Sequence, residues 1–372
     1  MHYFDYAASA PPFPQALQEF DRISAEHFAN PSSTHQPGTA AQDALQHAKD
    51  TFCQICHAAS ARLILNSSGT EANNLVIRGV MEKYPHGRLL LATDAHASAW
   101  FAKDFYNKRV DVVPLEKNGR LYPEKIRKAI HKKTVLFSAV HVCNEIGTIH
   151  DIAAYAKICY NQGILFHCDG VQAVGHIPVD FEQNGPDFYT FSAHKFGGVR
   201  GIGGVLAKSL DFLPQMLGGG QEHAMRAGTE NLAGLAAATK ALGLSSSTLP
   251  EEAGRLHQLT QLFLKKLAES CDDYLLNSTD AGLPGLVALS FPGAIGASLV
   301  AEMSMRGFAI SAGSACHADQ VIPSRVITAI GRSDKQALGT VRISMGRDTT
   351  EDATTALAEV LAQVVQRHRL LE

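Results

Sequence analysis

A hydroxyl, a small residue and an imidazole precede a lysine in Ser192-Ala193-His194-Lys195, which opens onto the glycine-rich run Phe196-Gly197-Gly198-Val199-Arg200-Gly201-Ile202-Gly203-Gly204. An amine in that setting can form a Schiff base with an aldehyde cofactor while its neighbours hold a phosphate. Upstream stands His167-Cys168-Asp169-Gly170-Val171-Gln172. An acid on a strand end ahead of such a lysine is what pyridoxal phosphate (PLP) needs to keep its pyridine nitrogen charged. A lysine alone is most often a solvated surface charge, so the pair carries the reading.

Other segments carry groups of the same kind. Asn66-Ser67-Ser68-Gly69-Thr70 lies between a strand-like and a helix-like run. Backbone amides and a hydroxyl at a helix start make an anion site, although a serine N-cap alone would look the same. His96 directly follows a strand-like run, where an imidazole could stack on a planar ring or move a proton near neutral pH. Gly218-Gly219-Gly220-Gln221-Glu222 and Arg226-Ala227-Gly228-Thr229 allow close backbone approach to a ligand or a second subunit. Ser314-Ala315-Cys316 places a thiol among small residues, where it can reach a reacting atom, and a free thiol near its ordinary value supplies thiolate at neutral pH. Arg342 sits in an alternating β-rich run and calls for an anionic partner, either a ligand carboxylate or an internal Asp or Glu.

Several alternatives carry less. Cys53-Gln54-Ile55-Cys56-His57 has the spacing of covalent haem attachment, but the exported context for that chemistry is missing. Neither the P-loop pattern nor a G-x-G-x-x-G after the first strand is present. The 372 residues carry a formal charge of −3 with no basic cluster, which argues against a nucleic-acid partner. No apolar run is long enough for a bilayer. The first residues lack a secretory pattern, and an odd set of 7 scattered cysteines fits a reducing, cytoplasmic setting. No metal-ligand spacing stands out.

Strands and helices must position these groups. Helical patterns are expected at 38–58, 71–83 and 151–162. Strands are expected at 62–65, 88–93, 110–114, 134–142 and 163–169. Such alternation implies an α/β chain with a mostly parallel central sheet and helices on both faces, and ligands in such sheets lie beyond the strands' carboxyl ends. The change at Leu244–Pro250 marks a smaller α+β domain, with helices at 251–270, 297–306 and 350–370 and a strand at 285–291. The expected organisation is a large domain over 13–247 and a small one over 1–12 and 248–372.

Taken together the chain resembles the class V PLP enzymes, and more closely the cysteine desulfurases of the NifS/IscS type. The resemblance runs from Tyr3-Phe4-Asp5-Tyr6-Ala7-Ala8 to the Arg342 segment. It is carried by Asn30-Pro31-Ser32-Ser33-Thr34-His35, Gly69-Thr70-Glu71-Ala72-Asn73-Asn74, Asn144-Glu145-Ile146-Gly147-Thr148, Asp169 to Gln172, Ser192 to Lys195, Gly218 to Glu222, Arg226 to Thr229 and Ser314 to Cys316, in family order. The resemblance implies the fold type I of PLP-dependent transferases. It also implies that Lys195 carries the cofactor, Asp169 pairs with its ring nitrogen, Gln172 approaches its phenolate oxygen and His96 stacks on its ring. Gly69, Thr70, Ser192 and His194 would hold the phosphate, with Thr229 reaching the phosphate of the other subunit of a homodimer. Asn144 and Arg342 would bind the carboxylate of L-cysteine, and Cys316 would take its sulfur as a persulfide for a sulfur-acceptor protein in iron–sulfur cluster or tRNA thiolation chemistry. Three positions depart from the family pattern, namely Cys143, Ser68 and Gly198-Val199-Arg200. The chain stops soon after its terminal helix, whereas members that serve an iron–sulfur scaffold commonly extend further. A selenocysteine lyase, or another class V enzyme acting on a small amino acid, would need Lys195 and Asp169 without Cys316. A catalytically silent sulfur-assembly scaffold would need none of the three.

Overall fold

The computed structural model describes residues 1–183, 185–279, 281–312 and 322–369. Strand β1 (His2–Tyr3) leads into helices α1 (Pro14–Glu26) and α2 (Gln36–Ile55). There follow β2 (Arg62–Asn66), α3 (Gly69–Lys83), β3 (Arg88–Ala92), α4 (Ala97–Tyr106), β4 (Val110–Val113), α5 (Pro123–Ala129), β5 (Thr134–Val140), α6 (Ile152–Gln162), β6 (Leu165–Asp169), β7 (Phe188–Ser192) and β8 (Gly203–Ala207). These eight strands, β1 excepted, form one sheet in the order β2-β8-β7-β6-β5-β3-β4. Only β8 runs against the others, pairing antiparallel with β2 on one side and β7 on the other. The remaining pairs are parallel.

The sheet is buried on both faces, as a parallel sheet with crossover helices must be. Leu90, Phe137, Phe166, Tyr189 and Phe191 point to one side, where α1, α2 and α7 (Leu232–Ser247) cover them. Leu89, Leu91, Leu136, Phe188 and Val205 point to the other, under α3 and α4. This period-two alternation in strands that are apolar on both faces fixes the register, because a slip of one residue would exchange the two cores.

The C-terminal elements form a further core. Helix α8 (Leu249–Ala268), β9 (Leu275–Leu276), β10 (Leu286–Ser290), α9 (Gly296–Met305), β11 (Phe308–Ala309), α10 (Arg325–Ala329), α11 (Asp334–Leu338), β12 (Thr340–Ser344) and α12 (Glu351–Arg369) complete the described chain. Strands β12, β10 and β9 make an antiparallel sheet, and Phe263, Phe291, Leu299, Leu357 and Leu361 fill the space beneath it. The N-terminus joins this layer: β1 pairs with β11, Asp5 bridges to Ser344, and Phe4 is buried in the same core.

Most expected elements are present within a few residues of their expected ends. Six helices, α1, α4, α5, α7, α10 and α11, and two strands of the large sheet, β7 and β8, were absent from the sequence expectation. Helix α7 is buried nearly all round, so it has no polar face to produce a period. The change at 244–250 proves to be a tight joint, in which Thr248 ends α7 and begins α8. The Cys53 and Cys56 pair lies buried at the end of α2, and no group of ligating residues that could hold a metal occurs among the described residues. No described helix is long and apolar enough to cross a membrane.

Gly203 is a close-packed junction between sheet and site where every near neighbour is backbone. A Cβ there would lie 2.8 Å from Phe191 O, 2.8 Å from the Ser68 carbonyl carbon and 3.1 Å from Gly69 N, all backbone. Gly203→Ala is therefore expected to push β8 from the Ser68–Thr70 loop, costing about 1–3 kcal/mol as overpacking does. A chemical-denaturation midpoint equal to wild type would contradict this packing.

Candidate active site

The parallel strands all deliver their carboxyl ends to one rim of the sheet, and the chemistry-bearing residues stand there. Asn66 ends β2 and leads to Ser68, whose Oγ accepts the Glu71 amide at 3.2 Å as N-cap of α3. Ala92 ends β3 and leads to His96, Val140 ends β5 and leads to Asn144, Asp169 ends β6, and Ser192 ends β7 and leads to Lys195. A cavity of about 230 Å³ is lined by Gly69, Thr70, Asn73, His96, Ser98, Asn144, Asp169, Gln172, Ser192, His194 and Lys195, among others. Nine of the expected site residues thus meet at one place.

Asp169 is 6% exposed, and a buried carboxylate must be hydrogen-bonded. Its Oδ2 accepts from Asn73 Nδ2 at 2.7 Å, and its Oδ1 accepts from the Val171 amide at 3.0 Å. A carboxylate has about four lone-pair sites, so capacity remains toward the cavity. The second hydrogen of the Asn73 amide goes to Ser98 Oγ at 2.8 Å. Ser98 Oγ lies 2.8 Å from His96 Nδ1, and the Ser98 amide donates to the same nitrogen at 3.2 Å. Nδ1 is therefore the acceptor, and neutral His96 carries its hydrogen on Nε2. Burial lowers the pKa of His96. Asp169 opposes that shift, whereas Lys195 and Arg325 add to it.

Lys195 Nζ donates to the carbonyls of Ala7 at 2.7 Å and Ala8 at 3.0 Å. Both belong to the N-terminal segment, far from Lys195 in sequence. His194 Nδ1 lies 3.2 Å from Ser9 Oγ, and burial, helped by Lys195 and Arg200, holds the imidazole down at about 4. His194 is thus a neutral polar group at pH 7. Gly69 permits the α3 amides to face the cavity closely, since a Cβ there would lie 2.7 Å from Val171 Cγ2. Gln172 is buried, and its Oε1 has no hydrogen-bond partner among the described residues.

The donor set fits PLP. Helix-start amides with Thr70, Ser192 and His194 suit a phosphate. A buried carboxylate with a free lone pair suits a pyridinium, and an orphaned amide oxygen at Gln172 awaits a polar partner.

Two expected residues stand apart from the cavity. Arg342 is buried on β12, where Nη2 pairs with Asp5 Oδ1 at 3.0 Å and Nη1 donates to Asn144 O at 2.9 Å. Its Nε is buried without a partner among the described residues. Thr229 is exposed on the outer side of the Asn66–Ser67 loop, beside a small cavity it shares with Arg226, Gly228 and Glu230. Cys316 lies outside the described residues. Sequence reasoning gave no role to Asn73, Ser98 or the Ala7 and Ala8 carbonyls. A signal existed for Asn73, an amide four residues after Gly69 on an otherwise apolar helix face. None existed for the carbonyls, which no side-chain pattern encodes.

The family model described as aminotransferase class-V matches residues 2–357. Cysteine desulfurase IscS of Dictyoglomus turgidum is 33% identical over 376 residues, covering 99% of this chain and 95% of that protein. Cysteine desulfurase IscS 1 of Archaeoglobus fulgidus is 32% identical, covering 99% and 98%. A solved NifS-like protein superposes with a TM-score of 0.90 at 26% identity, covering 98% of this chain and 99% of its own. SspA in complex with cysteine superposes with a TM-score of 0.81 at 29% identity, covering 93% and 99%. The overall likeness agrees with the expected fold type I.

The phosphate-side loop is tied by Glu71. Its carboxylate receives Arg226 Nε at 2.8 Å and the Ser67 amide at 2.7 Å. Burial pushes this carboxyl up, but the bonds from Arg226, Ser67 and Asn66 outweigh it and hold Glu71 at about 2. In the unfolded chain the group titrates near ~4.3. The folded protein therefore binds this proton more weakly, and the stabilisation is present above about pH 4.5 and is lost as pH falls toward 2. Glu71→Gln should flatten the acid limb of the unfolding midpoint against pH. An acid limb as steep as wild type would show that Glu71 is not the group responsible.

Proposed function

Because this chain belongs to the aminotransferase class-V family, we propose that it is a PLP-dependent cysteine desulfurase that converts L-cysteine to L-alanine and leaves the sulfur on Cys316. The observation that carries the reading is the meeting of Lys195, Asp169 and His96 in one cavity at the carboxyl ends of β7, β6 and β3. The family works with PLP in general. Here Lys195 would bind the aldehyde, Asp169 the ring nitrogen, Gln172 the phenolate oxygen and His96 the ring face. Gly69, Thr70, Ser192 and His194 would bind the phosphate. Bound there, PLP supplies an electron sink for the substrate's Cα.

The chain's own residues do the rest. Lys195 Nζ would take the proton from the substrate's Cα, and the Ala7 and Ala8 carbonyls orient that amine. Neutral His96 offers its Nε2 hydrogen as a proton donor. Asn144 lines the cavity and Arg342 adjoins it through the Asn144 carbonyl, and the two would bind the substrate carboxylate. The Cys316 thiolate attacks the substrate sulfur. An S–S bond forms, the Cβ–S bond breaks with its electron pair left on carbon, and a proton on that carbon completes alanine.

Elimination supports Cys316. The other six cysteines are buried, and burial pushes the thiols of Cys53, Cys56, Cys143, Cys159 and Cys168 up, that of Cys53 to about 11. None of those five supplies thiolate near neutral pH. Unpaired thiols throughout the core fit the cytoplasm. We also take 13–247 as the PLP-binding domain and 1–12 with 248–372 as the smaller one. The protein would act as a homodimer in which Thr229 reaches the phosphate of the second copy. The persulfide would pass to an acceptor protein for iron–sulfur or tRNA thiolation chemistry.

Lys195→Ala should abolish turnover and any borohydride-reducible PLP adduct. An adduct at wild-type level would move the cofactor to another lysine. Cys316→Ser should still change its absorbance on addition of cysteine, yet form no persulfide and release almost no alanine. The check is alanine and sulfide measured at equal PLP occupancy, with mass spectrometry of residue 316. Undiminished alanine from the serine variant would sink the desulfurase mechanism and favour a lyase.

A further inference from the structure

The segment between the exposed Leu213–Leu217 stretch and Thr229 has an unusual backbone. Glu222, His223 and Ala224 have φ of +50°, +59° and +63° in succession. Left-handed conformation is unfavourable for any residue with a Cβ, and three in a row persist only where surrounding contacts over-determine them. The holding contact is Glu222. Its side chain is 1% exposed and its Oε1 pairs with Lys49 Nζ of α2 at 2.7 Å. Its Oε2 accepts the Leu65 amide at 2.9 Å. Leu65 belongs to β2, the edge strand of the large sheet, so the carboxylate occupies an edge position that another strand would otherwise fill.

The turn sends neighbouring residues in opposite directions. Met225 is buried in the core under α3, and Arg226 pairs with Glu71 behind the phosphate loop. Gly228 follows with φ +106°, and Thr229 faces outward. On the other side, Leu213, Met216 and Leu217 are exposed, Leu217 at 81%. Beside Thr229, Glu230 Oε2 is shielded from solvent without a partner among the described residues. Exposed apolar groups on one side of this turn, and a shielded, unsatisfied carboxylate oxygen beside Thr229, suit a surface completed from outside the protomer.

We propose that Glu222 is a positioning residue: locked to Lys49 and the β2 edge, it holds the left-handed turn that presents Thr229 to the phosphate cradle of a second copy of this chain. The proposal rests on the shared-site reading above and names the device that makes the sharing possible.

The test uses full-length, PLP-loaded protein. PLP release is followed by absorbance during dialysis against a PLP scavenger, and self-association by sedimentation velocity. Thr229→Ala should speed PLP release at least tenfold. Glu222→Gln, which can still accept from Leu65 but loses the ion pair, should speed it by a similar factor and weaken self-association. Glu222→Gln combined with Thr229→Ala should be no faster than Thr229→Ala alone, because both act through one contact. Adding His223→Gly to Glu222→Gln should return release to within about threefold of wild type, since glycine adopts positive φ readily. If Glu222→Gln does not fold, Lys49→Gln removes the same ion pair and carries the same expectations. Wild-type release from Glu222→Gln, or additive effects in the double variant, would overturn the lock while leaving the shared site standing. Unchanged release from Thr229→Ala would overturn the shared site and the lock with it.

Discussion

A buried carboxylate at the end of a central strand is the constraint that the rest of the site answers to. Asp169 sits on β6, in the middle of the seven-stranded sheet. An ion there costs several kcal/mol unless hydrogen bonds replace its water. Asn73 on α3 and the Val171 amide do so. The Asn73 amide then spends its second hydrogen on Ser98, and Ser98 holds His96 Nδ1. One need, satisfying Asp169, thus fixes how α3 packs against α4 and which nitrogen of His96 bears the proton.

The titratable groups around that carboxylate are kept neutral by burial. His167, between Ser138 and Thr190, is held at about 4. His141, bonded to the Tyr189 hydroxyl, and His194 are held at about 4 as well. Imidazoles that stay uncharged at pH 7 donate and accept hydrogen bonds without adding cations beside Lys195. A mostly neutral surround leaves the cavity-facing lone pairs of Asp169 open to a partner.

Five strands of the large sheet and the rim residues were legible in the sequence because short apolar runs alternate with helical ones and short polar motifs follow several of them, whereas β7 and β8 were not. Asp169, Lys195 and Gly69 could be found because acid, amine and glycine have distinct uses at strand ends. Contacts that close over long sequence separation were not legible. The Ala7 and Ala8 carbonyls that orient Lys195 are backbone groups, and no residue type marks them. Arg342 was expected to face either a ligand or an internal acid. The structure gives it Asp5, 337 positions away, while leaving its Nε unpartnered. Glu222 reads as one more polar residue in a glycine-rich run, and only its three-dimensional partners reveal a buried ion pair. Cys316 was legible as a thiol among small residues, and it lies outside the described part of the structure.

The two ends of the chain meet around the site for a physical reason. β1 pairs with β11, and Asp5 with Arg342, so the first residues are held by the C-terminal layer while residues 7 and 8 reach Lys195. The same layer is stitched to the rim on the far side. Arg325 donates to the carbonyls of Thr93 and Ala95, just before His96, and lies 3.6 Å over the Trp100 ring. Ser324 bonds Glu145, next to Asn144. Ser311 pairs through its backbone with Arg342. Ser311 and Ser324 are therefore bonded to Arg342 and Glu145, which both adjoin Asn144 of the cavity. Lys195 and Asp169 stand at or just beyond the ends of strands of the large sheet, whereas the described residues either side of 313–321 are fastened near Asn144. Lys195 is placed both by β7 and by the Ala7 and Ala8 carbonyls, so the joint between the layers bears on the amine as well. A loosened junction would therefore disturb the amine of Lys195 as well as the Asn144 side of the cavity.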